Sequence, residues 1–216
     1  MKIGIIAALD SEFVQIRSLL GGHTEGIVGG NEIIIRKSGI GKVNAALCAA
    51  EFIGEYPLDC IVNTGVAGGL NPSLKCFDMV AAREVVYHDV WCGAGNAYGQ
   101  VQGLPERFRS NDTLYAKAME AGAKGGLLCS GDFFISTSAQ AEGVLAHFPG
   151  GLAVDMESGA ISQVCCMRGV PFLCLRIISD AAGGDHQCEY DNFWAALADG
   201  SFAAVRRFLE ILPSSL

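Results

Sequence analysis

The chain has 216 residues, of which 50% are hydrophobic and 18% are charged, so we expect one domain spanning residues 1–216 with a large core. Its net charge of −8 and the lack of any basic run argue against a nucleic-acid-binding protein, because phosphate neutralisation needs clustered lysine and arginine. A membrane span is not expected either, since no uninterrupted apolar run reaches 18 residues.

Strand-like and helix-like runs alternate along the chain. The first apolar run, residues 2–9, is too short for a signal peptide and lacks a cleavage pattern, so we interpret it as a strand. Further strands are predicted at 32–39, 58–69, 78–88, 125–135, 151–154 and 170–180, and helices at 11–20, 42–56, 138–148 and 190–212. Another helix is predicted to follow the strand 151–154 and to stop at Gly169. Continuous apolar strands separated by helices are typical of an α/β fold with a mostly parallel sheet covered on both faces.

The helical pattern is clearest at 190–212. Its apolar residues recur at helical spacing and Pro213 lies just past its end, so we interpret the stripe as core packing. The stripe consists of Tyr190, Phe193, Trp194, Leu197, Phe202, Val205, Phe208, Leu209 and Leu212.

Nine cysteines occur at irregular spacing, without a C-x-x-C pair, and none of the four histidines completes a zinc spacing. We interpret the cysteines as buried free thiols in a reducing cytoplasm, including Cys165 and Cys166, and predict neither a metal nor a disulfide. No cofactor is predicted, because neither the dinucleotide-binding glycine pattern nor the P-loop pattern is present.

Polar groups follow several predicted strands at the place where open α/β sheets bind ligands. Glu12 follows the first strand, Asp155 and Glu157 follow residues 151–154, and Asp180 ends the strand 170–180. Taken singly, such residues are more often helix caps or favourable partners of a helix dipole than catalytic groups. For Asp155 we favour the cap, with no ligand contact.

The motifs are more specific in combination. "MKIGIIAALDSE", "SGIGKVNAAL", "NTGVAGGL", "YHD", "VDMES" and "ISD" occur in this order, and with them the chain resembles the 5′-methylthioadenosine/S-adenosylhomocysteine nucleosidases of the purine nucleoside phosphorylase superfamily. The resemblance covers residues 1 to about 210. It implies a three-layer α/β/α sandwich around a mixed sheet, a cytoplasmic homodimer, and hydrolysis of 5′-thio-substituted adenosines to adenine and the free thioribose.

The resemblance also implies roles for individual residues. Asp180 matches the general acid toward purine N7, and Glu12 matches the general base that activates water for attack at C1′. Glu157 would accept hydrogen bonds from the ribose 2′- and 3′-hydroxyls, and Met156 would pack on the sugar. The remaining substrate-binding set is Phe134, stacking on the base, the backbone of Ile135, Ser179, which orients Asp180, and Ile40, Val66, Gly68 and Tyr190.

Three departures from the family pattern bear on the substrate. Val66 stands where many relatives have serine, so one hydrogen bond near the sugar or water is expected to be missing. Trp91, Cys92 and Gln102 change the segment 87–105, and Tyr190 replaces a phenylalanine over the 5′ substituent. The last two changes predict a more polar environment for the 5′ group.

Two other functions remain open at this level. A phosphate-dependent nucleoside phosphorylase would need cationic groups, for which Arg36, Arg83 and Arg176 are candidates, although each is as easily a structural ion pair. Glu12 would repel that anion. A catalytically silent nucleoside-binding protein would have no evident need for an acid on one side of the sugar and a base on the other.

Overall fold

The computed structural model describes residues 1–180, 193 and 203–216. The strands within these ranges are β1 (Lys2–Ala7), β2 (Glu25–Val28), β3 (Asn31–Lys37), β4 (Cys60–Gly69), β5 (Met79–Tyr87), β6 (Phe108–Arg109), β7 (Lys124–Ser130), β8 (Gly151–Asp155) and β9 (Phe172–Asp180). The helices are α1 (Asp10–Ser18), α2 (Lys42–Glu55), α3 (Asp112–Glu120), α4 (Ser138–His147), α5 (Ser158–Arg168) and α6 (Ala203–Glu210).

All the described strands belong to one mixed sheet. The strands β3, β1, β4 and β9 run parallel to one another, and so do β5, β7 and β8. The two groups are antiparallel where β4 meets β8 and where β5 meets β9. The pairings β4–β9–β5–β7–β8–β4 therefore close into a ring, with β1, β3 and β2 extending from one side of it.

The joint between β4 and β8 decides where the polar strand ends meet. Only two residues of each strand pair there, Gly68 and Gly69 with Val154 and Ala153, at the carboxyl ends of both strands. In a flat sheet the two antiparallel groups would present their carboxyl ends to opposite edges. The short antiparallel overlap brings those ends together, which creates the kind of crevice where α/β sheets bind ligands.

Helices cover both faces of the sheet. On one face α2 and α5 pack through residues such as Phe52 and Ile161, while on the other α1, α3 and α6 pack through Ile16, Leu114 and Phe208. This is the three-layer α/β/α sandwich that the resemblance implies, so the fold class is confirmed.

Most predicted elements are observed with shifted ends, and three short or polar ones were not predicted. The edge strands β2 and β6 have only four and two residues. Helix α3 begins and ends with a charged residue and has few large apolar side chains. The sheet is mixed, because β4 is followed directly by β5 without a crossover helix, but most of its paired residues lie in parallel pairings, as predicted. Of the predicted helix 190–212, Phe193 and Ala203–Glu210 are helical, and the remainder, with Tyr190, lies largely outside the described residues.

The described cysteines agree with the prediction of buried thiols except Cys92 and Cys166, which are exposed, and Cys76, which is partly exposed. Burial raises the pKa of Cys60 and Cys129 to about 12, so these thiols stay protonated and pack as small apolar groups. Cys166 is exposed, because it lies next to the buried Cys165 on α5 and neighbouring helical residues point in different directions.

Candidate active site

A cleft of about 650 Å³, including the space at its mouth, lies where the carboxyl ends of β1, β4, β8 and β9 meet. Every predicted site residue within the described ranges lines it: Glu12, Ile40, Val66, Gly68, Phe134, Ile135, Met156, Glu157, Ser179 and Asp180. Asp155 lines it as well, and Tyr190 lies outside the described residues.

Glu12 is held at the floor of the cleft by backbone amides. It lies in the first turn of α1 and is only 3% exposed. Its Oε2 accepts the N–H groups of Ala8 and Leu9, each at 2.9 Å, and its Oε1 accepts the N–H of Val66 at 2.8 Å. Burial raises the pKa of Glu12, since the lost solvation outweighs the Arg176 charge and these amide donors.

The close approach of Glu12 to β4 requires a glycine. A Cβ at Gly65 would lie 2.5 Å from Oε1 of Glu12, which is far inside van der Waals contact. The glycine thus lets the carboxylate lie directly against the strand, where the next amide, that of Val66, binds it.

Asp180 is the last residue of β9 and is paired in register with Gly68 of β4. The Ser179 hydroxyl lies 2.7 Å from Oδ1 of Asp180 and 3.3 Å from the Ala67 carbonyl oxygen. A Cβ at Gly68 would lie 3.2 Å from Oδ2 of Asp180, so a side chain there would crowd the carboxylate. Glu12 therefore contacts β4 at residues 65 and 66, Ser179 binds it at Ala67, and Asp180 lies against Gly68.

Glu157 lies at the start of α5, and its Oε1 accepts the Gly41 N–H at 3.0 Å. Gly41 has φ 92° and ψ 165°, a backbone conformation that is essentially restricted to glycine. Burial and the nearby Asp155 charge raise the pKa of Glu157 to about 7, against the opposing effects of Arg176 and the amide. The Glu157 carboxyl group therefore gains and loses its proton near neutral pH.

Asp155 and Glu157 converge on one buried guanidinium. Arg176, in the middle of β9, donates from Nε to Oδ2 of Asp155 at 2.8 Å and from Nη2 to Oδ1 of Asn63 at 2.5 Å. Its Nη2 lies 3.9 Å from Oε2 of Glu157. Burial alone would lower the pKa of Arg176, but the neighbouring carboxylates outweigh that effect and keep it charged.

Asp155 also has the local role that the sequence suggested. Its carboxylate accepts the Ser158 hydroxyl at 2.8 Å and the Ser158 N–H at 3.2 Å, at the first residue of α5. The ion pair with Arg176 was not predicted, because it joins β8 and β9, which follow one another in the chain but do not pair in the sheet.

All three arginines considered as phosphate ligands are engaged in ion pairs. Arg36 binds Glu55, Arg83 binds Asp112 at 2.5 Å, and Arg176 binds Asp155. Of the described residues that line the cleft, none is a lysine or an arginine.

The opposite wall of the cleft is aromatic and apolar. Phe133 and Phe134 lie between β7 and α4 at the mouth, and each is about half exposed. Ile135 is buried beside them, and Met156 lies between the two carboxylates of the sequence "VDMES". Five lining residues were not predicted, because they are small or apolar and carry no chemical signal in the sequence: Ala8, Leu9, Ala67, Phe133 and Val154.

The described part of the chain contains neither a candidate metal cluster nor a candidate membrane-spanning helix. No group of three or more histidine, cysteine, aspartate or glutamate side chains is arranged to hold a metal ion there. None of the helices in that part is long and apolar enough to cross a membrane.

Comparisons with known proteins agree with this architecture. Residues 2–210 match the family described as the Phosphorylase superfamily. The sequence is 38% identical to a 5′-methylthioadenosine/S-adenosylhomocysteine nucleosidase of Geobacillus kaustophilus, over 98% of each chain. The solved nucleosidase of Colwellia psychrerythraea, in complex with adenine, has 34% identity and a TM-score of 0.92 over 100% of this chain and 97% of its own. The enzyme of Streptococcus pneumoniae with a transition-state inhibitor has 32% identity and a TM-score of 0.89, over 99% and 100%.

This chain therefore belongs to the phosphorylase superfamily, and its fold is that of the solved nucleosidases. Within that superfamily the near full-length identity is to the 5′-methylthioadenosine/S-adenosylhomocysteine nucleosidases. The chain belongs to that family of N-glycosyl hydrolases.

Replacing Glu157 by glutamine is expected to make the free protein more stable at alkaline pH. The folded pKa of about 7 exceeds the unfolded value near 4.5, so the folded state binds the proton more tightly and stability falls as pH rises through this interval. Glutamine removes that loss, which corresponds to about 1–3 kcal/mol at pH 8 and a few degrees in Tm.

The measurement is the Tm of Glu157→Gln minus that of the wild type, between pH 5 and pH 8. We expect the difference to grow with pH. Glu84→Gln, which changes a partly exposed carboxylate in an ion pair with Arg107, serves as the control. A Tm difference that stays constant over this range would contradict the raised pKa.

Proposed function

We propose that the protein hydrolyses the N-glycosidic bond of 5′-thio-substituted adenosines, releasing adenine and the free thioribose. The observation that carries the proposal is the arrangement of Glu12 and Asp180, which lie in one cleft close together along β4, at Val66 and Gly68. Two carboxylates facing the same ligand from different strand ends are the arrangement that acid–base cleavage of a glycosidic bond requires.

In this mechanism Asp180 protonates N7 of the purine as the bond to C1′ breaks. Its position next to Ser179, whose hydroxyl is 2.7 Å from Oδ1, supports a fixed orientation of the carboxyl group toward the base. Phe134 would stack on the purine, and the backbone of Ile135 would bind its edge. The apolar side of the cleft suits a flat base.

Glu12 removes a proton from the attacking water. The three amide donors fix both of its oxygens, while burial raises its pKa and so makes the ionised carboxylate a stronger base than an exposed glutamate. The carboxyl group therefore combines a defined geometry with greater basicity.

The charge balance supports a cationic transition state on the sugar. Glu12, Asp155 and Glu157 surround Arg176, the one buried lysine or arginine among the described residues, so the fully ionised cluster has an excess of negative charge. The positive charge that develops on the ribose as the purine leaves would be stabilised by this excess. Glu157 would bind the 2′- and 3′-hydroxyls, with Met156 against the sugar.

Water is the nucleophile that this environment favours over phosphate. The three arginines that could have held an anion are engaged in ion pairs, and the described lining of the cleft contains no cationic side chain. Glu12 at the floor would repel phosphate.

We also propose that the protein acts as a cytoplasmic homodimer. An exposed apolar strip of Ile40, Val43 and Leu47 runs from the mouth of the cleft along α2, and a second copy could cover it. The cytoplasmic location is proposed on the buried thiols, which suit a reducing compartment.

The function is tested by chromatographic detection of released base. The purified protein is incubated with methylthioadenosine, S-adenosylhomocysteine, adenosine and inosine, each with and without phosphate. We expect adenine from the two 5′-thio nucleosides at the same rate in both conditions. The order of their rates would report how Trp91 and the changed segment 87–105 affect the 5′ group.

Two results would contradict the proposal. Release that requires phosphate would make the protein a phosphorylase, and release of the ribose 1-phosphate would accompany it. Binding of these nucleosides without any released base would make it a nucleoside-binding protein.

A further inference from the structure

A polar network beside the cleft joins the loop after β7 to the start of α2. Asp89, which follows β5 and does not line the cleft, accepts two hydrogen bonds on Oδ2. One comes from Nζ of Lys42 at 2.8 Å and the other from the backbone N–H of Asp132 at 2.8 Å. The Asp132 carboxylate in turn accepts the backbone N–H of Lys42 at 2.7 Å, so the two segments are linked in both directions.

Each end of the network continues directly into the cleft. On the α2 side, Gly41 precedes Lys42 and donates its N–H to Glu157. On the β7 side, Asp132 is followed by Phe133 and Phe134 at the mouth. A Cβ at Gly41 would lie 3.0 Å from Oδ1 of Asp132, so the two segments are in close contact at this point.

The network is partly shielded from solvent. The Lys42 and Asp89 side chains are 25% and 23% exposed, and Nζ of Lys42 lies 5.3 Å from the centroid of the Tyr87 ring. The ion pair is thus less screened than one between fully exposed side chains. The loop also passes close to Asp89 at Gly131, where a Cβ would lie 2.7 Å from the Asp89 carboxyl carbon.

We propose that Asp89 is a positioning residue. It holds the loop that carries Phe134 against the start of α2, where Gly41 binds Glu157. It acts through Asp132 on Phe134 and through Lys42 on the Gly41–Glu157 contact, without touching the substrate. The inference rests on the proposed function, because it takes Phe134 as the residue that stacks on the purine and Glu157 as the one that binds the ribose.

The test measures binding of free adenine by titration calorimetry and separates KM from kcat for methylthioadenosine. In Asp89→Ala we expect adenine to bind about ten- to a hundredfold more weakly and KM to rise by a similar factor. The value of kcat should change little, because Glu12 and Asp180 are held by β4 and β9. Asp89→Asn, which retains an oxygen acceptor for the Asp132 N–H, should recover part of the adenine affinity.

A double-mutant cycle distinguishes positioning from a general loss of structure. If Asp89 acts through Phe134, the effects of Asp89→Ala and Phe134→Ala on adenine affinity are less than additive. Glu84→Ala removes a carboxylate from an ion pair outside the cleft and should leave adenine affinity unchanged. If Asp89→Ala does not fold, Lys42→Met breaks the same ion pair from the other side and should weaken adenine binding as well.

The outcomes separate this inference from the proposed function. Unchanged adenine affinity in Asp89→Ala, or effects that add fully with those of Phe134→Ala, would overturn the positioning role while leaving hydrolysis in place. A wild-type protein that binds no adenine and cleaves no 5′-thio nucleoside would overturn the proposed function and this inference together.

Discussion

The Glu12→Gln variant is expected to bind adenine but to turn over 5′-thio nucleosides about 10²–10⁴-fold more slowly than the wild type. Glutamine has nearly the same size and keeps one side-chain oxygen. That oxygen can still accept the hydrogen bonds that the Ala8 and Leu9 N–H groups donate to Oε2 in the wild type. It cannot remove a proton from water. The loss should therefore fall on kcat, as measured by adenine release at saturating methylthioadenosine.

The same substitution has a structural cost that must be measured beside the activity. The Val66 N–H now donates to Oε1, and in the variant it would face an amide NH₂ group, leaving a buried donor unpaired at about 1–3 kcal/mol. Loss of a buried charge offsets part of this cost. Adenine affinity close to that of the wild type shows an intact cleft, and Glu84→Gln controls for removing a carboxylate elsewhere. Near-normal turnover in a folded Glu12→Gln protein would remove Glu12 from the mechanism.

Glu12 also shows what the sequence contained about the site. Its place after the first strand, three residues into a helix, made it a candidate, but a glutamate there is equally a partner of the helix dipole. The distinguishing features are the Val66 amide and the open space at Gly65, and both belong to β4, more than 50 residues away. Only the pairing of β1 with β4 brings them together.

The two carboxylates of "VDMES" needed the same kind of non-local information. Asp155 was expected to cap a helix, and it does bind Ser158, but its strongest partner is Arg176 in the interior of β9. That arginine interrupts an apolar strand, which marks it as unusual in the sequence without identifying its partner. The partner follows from the order of the strands, since β4 lies between β8 and β9 and its Asn63 completes the network.

The alternation of strands and helices predicted the α/β class, whereas the ring closure could not be derived from it. The periodicity of each segment reports which face is buried and says little about strand direction. The antiparallel joint of β4 with β8 involves two residue pairs only, and the register of β4 with β9 shifts between Ala67 and Gly68 at the same place. This irregular end of β4 is where both proposed catalytic carboxylates make contact, so the least predictable part of the sheet is the part that builds the cleft.

The Asp180→Asn variant is expected to have a kcat for methylthioadenosine about 10²–10⁴-fold lower than the wild type, because the asparagine amide is not acidic enough to protonate purine N7. The substitution is nearly isosteric. The amide oxygen can accept the Ser179 hydroxyl in place of Oδ1, and the volume beside Gly68 is unchanged. Fold and adenine binding should therefore be retained, as checked by Tm and calorimetry.

A comparison of leaving groups separates the acid from the base. With a 5′-methylthioriboside whose leaving group departs as a stable anion, such as p-nitrophenolate, protonation of the leaving group is no longer needed. Asp180→Asn should then approach the wild-type rate, whereas Glu12→Gln should remain slow, because water must still be deprotonated. If Asp180→Asn is equally impaired with both leaving groups, the carboxylate does not act as the acid toward N7, and its contribution lies in orienting the bound nucleoside through the contacts at Ser179 and β4.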